Sequence, residues 1–247
     1  MAAESEGRAG GEQGTLYLCA TPIGNLEDVT LRLLRVLKEV EVIAAEDTRR
    51  ARKLLTHYDI HTRVVSCHQH SGPGRLAELA RVLQQGGSVA YVSESGTPVI
   101  SDPGRALMET ALEAGARVEM LPGPSAILPA VVLSELPTRE FTFAGFPPRK
   151  AGRRRKFLER LGALGHTVVF FEAPGRLCRL LEELLELCGE RPAAVARELT
   201  KVHEEVFRGT LRTCLERYSQ TAPRGECVLV VGGGSEARGE EAELDDR

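Results

Sequence analysis

The residues best suited to chemistry sit in short loops where apolar runs end. The run Val89-Ala90-Tyr91-Val92 reads as a buried strand. It gives way to Ser93-Glu94-Ser95-Gly96-Thr97-Pro98, with Ser101-Asp102-Pro103-Gly104 close behind. Gly96 lacks a Cβ and the prolines fix φ, so this loop can hold a preorganised turn whose backbone N–H groups and hydroxyls meet a polar ligand. The same segment also suits an ordinary strand-to-helix turn, capped by Ser101 or Asp102 ahead of Pro103. Three more loops share its character: Thr21-Pro22-Ile23-Gly24-Asn25, Glu46-Asp47-Thr48-Arg49 and Leu121-Pro122-Gly123-Pro124-Ser125-Ala126. In an open parallel sheet the carboxyl ends of the strands form the ligand edge, so four such loops on one edge outweigh any one of them.

The elements that must position these loops alternate. Strands are expected over Thr15 to Ala20, Val42 to Ala45, Arg63 to Cys67, Ser88 to Val92 and Arg117 to Leu121. Between them lie helical patterns, the first behind a Thr30 cap and the second a short basic helix from Thr48 to Tyr58, with a last one over Ser125 to Leu133. Strands separated by helices of this length imply right-handed crossovers and a mainly parallel sheet covered on both faces. The pattern pauses around Leu136-Pro137-Thr138 and restarts with strands at Phe141 to Ala144, His166 to Phe171, Ala193 to Leu199, Glu204 to Phe207 and Cys227 to Val231. The third and fourth of these, joined by Thr200-Lys201-Val202-His203, read as a hairpin. The fold class expected is therefore α/β in two domains. Residues 14–137 form a mainly parallel α/β half and residues 138–234 an α+β half with a mixed sheet, the ligand cleft lying between them. Residues 1–13 and the acidic 235–247 have too little apolar content to order and are expected to be disordered tails.

Composition narrows the function. The 247 residues are 42% hydrophobic and 27% charged, ordinary for a globular protein, and the net charge of −3 gives no global attraction to nucleic acid. Tryptophan is absent and aromatics are scarce, which leaves little material for base-stacking platforms. No apolar run is long enough to span a membrane and no signal-peptide pattern opens the chain, so a cytoplasmic location is expected. The six cysteines contain no C-x-x-C pair and read as reduced. The Cys67-His68-Gln69-His70 cluster lacks the second ligand pair of a structural zinc site, so no metal is expected. The dinucleotide and triphosphate signatures are missing, and so is a serine-hydrolase elbow, although Ser93-Glu94-Ser95-Gly96 comes near it. One local feature runs against the net charge: Arg149, Lys150, Arg153, Arg154, Arg155 and Lys156 within eight positions. Like charges this close repel one another, whereas an RNA phosphate backbone rewards them.

Taken in order, Thr21-Pro22-Ile23-Gly24-Asn25-Leu26, Ala45-Glu46-Asp47-Thr48-Arg49, Ser95-Gly96-Thr97-Pro98 with Ser101-Asp102-Pro103-Gly104, and Pro122-Gly123-Pro124-Ser125-Ala126 form a series. It continues through Phe143-Ala144-Gly145-Phe146, Glu172-Ala173-Pro174, Arg197-Glu198-Leu199-Thr200-Lys201 and Gly225-Glu226. The series resembles the signatures of the tetrapyrrole-methylase superfamily, and within it the small-subunit ribosomal RNA methyltransferase I group, from about Gly14 to Gly233. The resemblance implies a two-domain enzyme, usually a homodimer, that binds S-adenosylmethionine and methylates the ribose 2′-hydroxyl of a cytidine in the decoding region of 16S ribosomal RNA. Carried over by motif, the cofactor positions are Pro22, Gly96, Thr97, Ile100, Ser125, Ala126 and a position near Phe171. The chain departs from the group at Glu94 and Ser95, where Asp and Ala are usual, and at Gly175, where His is usual.

An activated sulfonium needs an in-line nucleophile and little covalent help, but a ribose hydroxyl must also lose its proton. Glu46, Asp47, Glu172 and Glu198 are the candidate acceptors. Asp47 is equally suited to cap the following helix, and Glu198 to pair with Lys201. Two other functions fit the same motifs: methylation of a tetrapyrrole or of a modified protein histidine, and a non-catalytic ribosome-assembly factor. The basic stretch favours an RNA partner over a porphyrinoid, which has no phosphate backbone.

Overall fold

A computed structural model describes residues 13–68, 71–94, 96–100 and 104–234. Residues 1–12 and 235–247 of the expected tails, Gln69 and His70 of the Cys/His cluster, and Ser95, Ser101, Asp102 and Pro103 of the central loop lie outside the described residues. Gln13 donates from Nε2 to the Gly115 carbonyl at 2.8 Å.

The first unit alternates strand and helix as its apolar pattern requires. Its elements are β1 (Thr15–Cys19), a 3-10 turn at Leu26–Asp28, α1 (Leu31–Glu39), β2 (Val42–Ala45), α2 (Thr48–His57), β3 (Val64–Ser66), α3 (Pro73–Gln84), β4 (Ser88–Val92), α4 (Arg105–Glu113) and β5 (Arg117–Leu121). The strands lie in the order β3-β2-β4-β1-β5, every pair parallel. β2 and the end of β4 are buried on both faces, which explains why they read as continuous apolar runs. Leu33, Val36 and Leu37 of α1 join Ala51, Leu54 and Leu55 of α2 over one face of the sheet. Leu79 and Leu83 of α3 join Leu107 and Ala111 of α4 over the other. The chain leaves β1 for β2, passing β4, and leaves β4 for β5, passing β1, on opposite faces. The strand order therefore reverses at the β1–β4 pair.

The second unit holds α5 (Ile127–Ser134), β6 (Phe141–Gly145), α6 (Ala151–Gly162), β7 (Thr167–Glu172), α7 (Pro174–Cys188), β8 (Pro192–Arg197), β9 (Glu205–Thr210), α8 (Leu211–Gln220) and β10 (Cys227–Val231). Its sheet runs β6-β7-β10-β8-β9. The β6–β7 pair is parallel and the others are antiparallel, the expected β8–β9 hairpin among them. α6, α7 and α8 share one core with this sheet, through Leu158, Leu177, Leu181, Leu211 and Leu229. The chain divides between Pro124 and Ser125. α5, which the break at Pro137 would assign to the first half, packs against β8, β9 and β10.

α6 takes up the basic stretch from Ala151 onward. Arg154 turns inward: Nε and Nη2 both donate to Glu183 of α7 at 2.6 Å, and Nη1 donates to the Arg149 carbonyl at 3.1 Å. Only 6% of its side chain is exposed. Arg155 pairs with Glu159 and Glu186, each at 3.0 Å. Two of the six cations thus hold α6 to its neighbours or to itself, while Arg149, Lys150, Arg153 and Lys156 are exposed and have no ion pair among the described residues.

The hydrogen bonds from Arg154 hold the Glu183 carboxyl below its usual range, against the opposing effect of burial. A depressed carboxyl stabilises the fold above its unfolded pKa, and that stability is lost as the pH falls through the folded value. Arg154→Ala should cost on the order of 3 kcal/mol near neutral pH, or roughly 10 °C of melting temperature, with the difference from wild type shrinking in acid. Thermal melts across pH check this, and Arg153→Ala, on the exposed side, should melt as wild type.

Candidate functional site

The chains that leave the adjacent strands β1 and β4 depart to opposite faces of the sheet, and the carboxyl ends of such a pair are where open α/β sheets hold ligands. The first and central loops fill that edge. Thr21 and Gly96 exchange both backbone hydrogen bonds at 3.0 Å, forming an antiparallel bridge. Gly96 has φ +75°, a backbone conformation that favours glycine, while a Cβ there would make only ordinary contact, 3.4 Å from Ile23 Cγ2. Val99 adopts φ +69°, a sparsely populated region for a β-branched residue, at a cost of about 1–3 kcal/mol.

The other two loops are tied into this pair. Thr97 Oγ1 reaches the Pro124 carbonyl at 3.4 Å, and Ala20 N–H donates to the Leu121 carbonyl. Glu46 N–H donates to the Val92 carbonyl, and its Oε2 accepts from Glu94 N–H at 3.2 Å. Pro22, Gly96, Thr97 and Ile100 are therefore brought to one edge of the sheet together with Glu46. Ile100 is an exposed apolar residue in this polar setting.

Ser125, Ala126 and Phe171 belong to the second unit. Ser125 Oγ accepts from Ile127 N–H at 3.2 Å, just ahead of α5. Phe171, at the end of β7, lies between Phe143 at 4.8 Å and the half-exposed Phe146 at 5.5 Å, measured between ring centroids.

The four candidate carboxylates have different surroundings. Asp47 caps α2 by accepting from Arg49 N–H at 2.8 Å and also binds the Arg49 guanidinium, which holds its carboxyl down at about 2. Glu172 is buried and accepts from Arg176 Nε at 2.6 Å and from Ala173 N–H at 2.8 Å. Glu198 accepts from Lys201 Nζ and from Glu226 N–H, both at 2.9 Å, and Lys201 pulls its pKa down despite burial. Among the described residues, Glu46 is the one of the four that is hydrogen-bonded to the central loop.

Sequence reasoning singled out neither Arg50 and Lys53 of α2 nor Thr21 as site residues. Together with Pro22, Ile23, Ser93 and Glu94 they line a pocket beside the bridged loops. The signal was the Arg50-x-x-Lys53-Leu54 spacing, which puts cations and an apolar residue on one helix face. Cys67 is buried and all six cysteines are unbridged. No cluster of metal-ligating side chains occurs among the described residues, and no helix among them is long and apolar enough to cross a membrane.

This arrangement defines an α/β protein whose polar, glycine-bearing loops gather at the strand ends of its parallel sheet. Residues 15–214 match the model for tetrapyrrole (corrin/porphyrin) methylases, and the chain belongs to that family. Three relatives are each named ribosomal RNA small subunit methyltransferase I. The one from Halalkalibacterium halodurans is 45% identical, covering 93% of this chain and 80% of its own. The one from Mesorhizobium japonicum is 47% identical, covering 93% and 79%. The one from Thermotoga maritima is 43% identical, covering 89% and 99%. Two solved structures share the fold. A uroporphyrin-III C-methyltransferase from Thermus thermophilus gives a TM-score of 0.63 at 24% identity, over 94% of this chain and 99% of that one. A cobalt-precorrin-4 methyltransferase of cobalamin biosynthesis gives 0.68 at 16% identity, over 89% and 94%.

The motifs Arg197 to Lys201 and Gly225-Glu226 form one staple. Glu198 at φ +49° and Thr200 at φ +66° turn the chain, Glu198 N–H donates to the Glu226 carbonyl, and the Glu198 carboxylate lies over Gly225. A Cβ on Gly225, itself at φ +80°, would fall 2.1 Å from Glu198 Oε1. Gly225→Ala should therefore cost about 1–3 kcal/mol. Gly175→Ala, where a Cβ meets nothing within 4 Å, should be close to neutral; paired melting curves decide.

Proposed function

We propose that the protein transfers the methyl group of S-adenosylmethionine to the ribose 2′-hydroxyl of a cytidine in the decoding region of 16S ribosomal RNA. The observation that carries this reading is the match over about nine-tenths of the chain, at 43–47% identity, to relatives named for small-subunit ribosomal RNA. The homodimer and the cytoplasmic location implied by the same motifs are part of the proposal.

The residues present suit the cofactor. The first, central and post-β5 loops offer a surface rich in backbone and poor in side chains, with Gly96 buried in a left-handed conformation and Gly123 3.1 Å, at its Cβ position, from Ala20. Pro22, Gly96, Thr97 and Ile100, at the edge of the first unit's sheet, would hold the cofactor, which supplies an activated methyl group on a sulfonium. The chain's own task is then to hold the hydroxyl oxygen in line and to receive its proton as the methyl passes to oxygen. Glu46 is the acceptor we favour, because its carboxylate meets the Glu94 amide at the start of the central loop, beside the proposed cofactor positions.

The start of α6 supports an RNA partner. Its N-cap, Lys150, makes no side-chain capping bond, its first turn carries no acidic residue, and the exposed Arg149, Lys150 and Arg153 fall at its start. Cations at a helix N-terminus oppose the helix dipole, whereas a phosphate there satisfies both dipole and charge. Arg153→Ala should flatten the slope of log affinity against log salt by about 0.7–0.9 if it meets one phosphate.

The deciding experiment incubates the protein with small ribosomal subunits and methyl-labelled S-adenosylmethionine. Label should enter the RNA and leave one gap in an alkaline hydrolysis ladder, because a 2′-O-methyl group blocks attack on the adjoining phosphate. Label in a base, or none, defeats the reading. Glu46→Gln should slow transfer at saturating substrate by about 10²-fold or more while keeping cofactor affinity. Gly96→Val should lower that affinity in calorimetry; an unchanged value removes the central loop from the site.

A further inference from the structure

Beside the bridged loops the first unit contains a pocket of about 210 Å³. α2 contributes Arg50, Ala51, Lys53 and Leu54 to it, the first loop contributes Thr21 to Gly24, and the end of β4 contributes Val92 to Glu94. Ile43 and Leu55 help to make the interior apolar.

Three features set the kind of occupant. The volume suits a single heterocycle rather than a four-ring macrocycle. The rim is cationic: Lys53 is exposed with no ion pair among the described residues, and Arg50 meets Glu94 only at 3.6 Å, with about half of each side chain exposed. An ion pair so long and so solvated contributes little and is readily exchanged for another anion. Finally, the hydroxyl of Thr21, a residue that lines the pocket, is buried with no hydrogen-bond partner. A polar group left in that state costs about 1–3 kcal/mol, which a ligand with a polar edge would offset.

We propose that this pocket receives the ribonucleotide to be methylated, turned out of its strand. Its base lies among the apolar side chains, its polar edge meets Thr21 Oγ1, and an adjoining phosphate takes the place of Glu94 on Arg50 and binds Lys53. This inference rests on the RNA-methylation reading and adds where the target sits. A base stacked within RNA keeps its sugar away from a site recessed among loops, so extrusion into a fitted pocket gives access and selects for single-stranded or distorted RNA. The pocket shares the first loop and Ser93–Glu94 with the edge that carries Gly96 and Glu46. An occupant would therefore stand next to the proposed cofactor loops and proton acceptor.

The test is a single-turnover measurement of methyl transfer from labelled S-adenosylmethionine to small ribosomal subunits, run across subunit concentration. Arg50 and Lys53 are exposed on a helix and alanine is a strong helix former, so the doubly substituted Arg50→Ala, Lys53→Ala protein should fold. Its rate at saturating subunits should fall at least about tenfold, since a misplaced nucleotide reacts slowly even when bound. Cofactor affinity in calorimetry should be unchanged, and Lys53→Arg should recover most of the rate. Lys156→Ala, on the basic helix, should move only the half-saturating concentration. A double variant that keeps the wild-type rate at saturation overturns the assignment. So does a loss confined to half-saturation, because a remote phosphate contact produces that pattern. Wild-type protein that methylates no subunit RNA defeats the parent reading itself, an outcome separate from either.

Discussion

Two backbone hydrogen bonds, from Thr21 N–H to the Gly96 carbonyl and back, organise the edge on which the proposed chemistry depends. β1 and β4 are neighbours, yet their outgoing chains depart to opposite faces, so nothing in the sheet itself joins the segments that follow them. The bridge supplies that join, and it requires a left-handed residue at position 96. Once it is made, the Glu94 amide faces Glu46 beyond β2, and Thr97 reaches Pro124 beyond β5. Four loops from four strands are thereby tied into one framework. Preorganisation of this kind is what methyl transfer from an already activated donor asks of a protein.

Much of the fold was legible because burial on both faces of a parallel sheet writes itself as apolar runs. Val42 to Ala45, Ser88 to Val92 and Cys227 to Val231 begin and end where those runs do. The Thr30 cap was legible as well, since its hydroxyl accepts from Leu33 N–H at 3.1 Å as the pattern required. α5 was harder to place. Its apolar residues identify a helix, but sequence periodicity does not say which sheet a helix covers, and Pro137 is a stronger local signal than the Pro124–Ser125 boundary.

The basic stretch shows the limit of reading charge from composition. Six cations in eight positions look alike in sequence, and the helix sorts them by angle. At 3.6 residues per turn, Arg154 falls on the face with Leu158 and Leu161, while Arg153 and Lys156 point away. Arg154 can be buried there only because Glu183 of α7 meets it with two hydrogen bonds and backbone carbonyls take a third. The partner is 29 residues away, beyond any local pattern.

The departures at Glu94 and Gly175 acquire physical meaning from their surroundings. Glu94 offers its backbone N–H to Glu46 and its carboxylate to Arg50, so its longer side chain serves α2 while its main chain serves the proposed acceptor. Replacing the usual shorter carboxylate thus alters the rim of the α2 pocket without disturbing the amide that positions Glu46. Gly175 sits at the start of α7 with open space where a side chain would project, so neither packing nor backbone conformation demands glycine there. A Cβ there meets nothing within 4 Å, and the Glu172–Arg176 pair forms without any side chain at position 175. The two positions therefore differ in kind: Glu94 makes a charged contact beside the proposed site, whereas Gly175 lies at a helix start with open space around it.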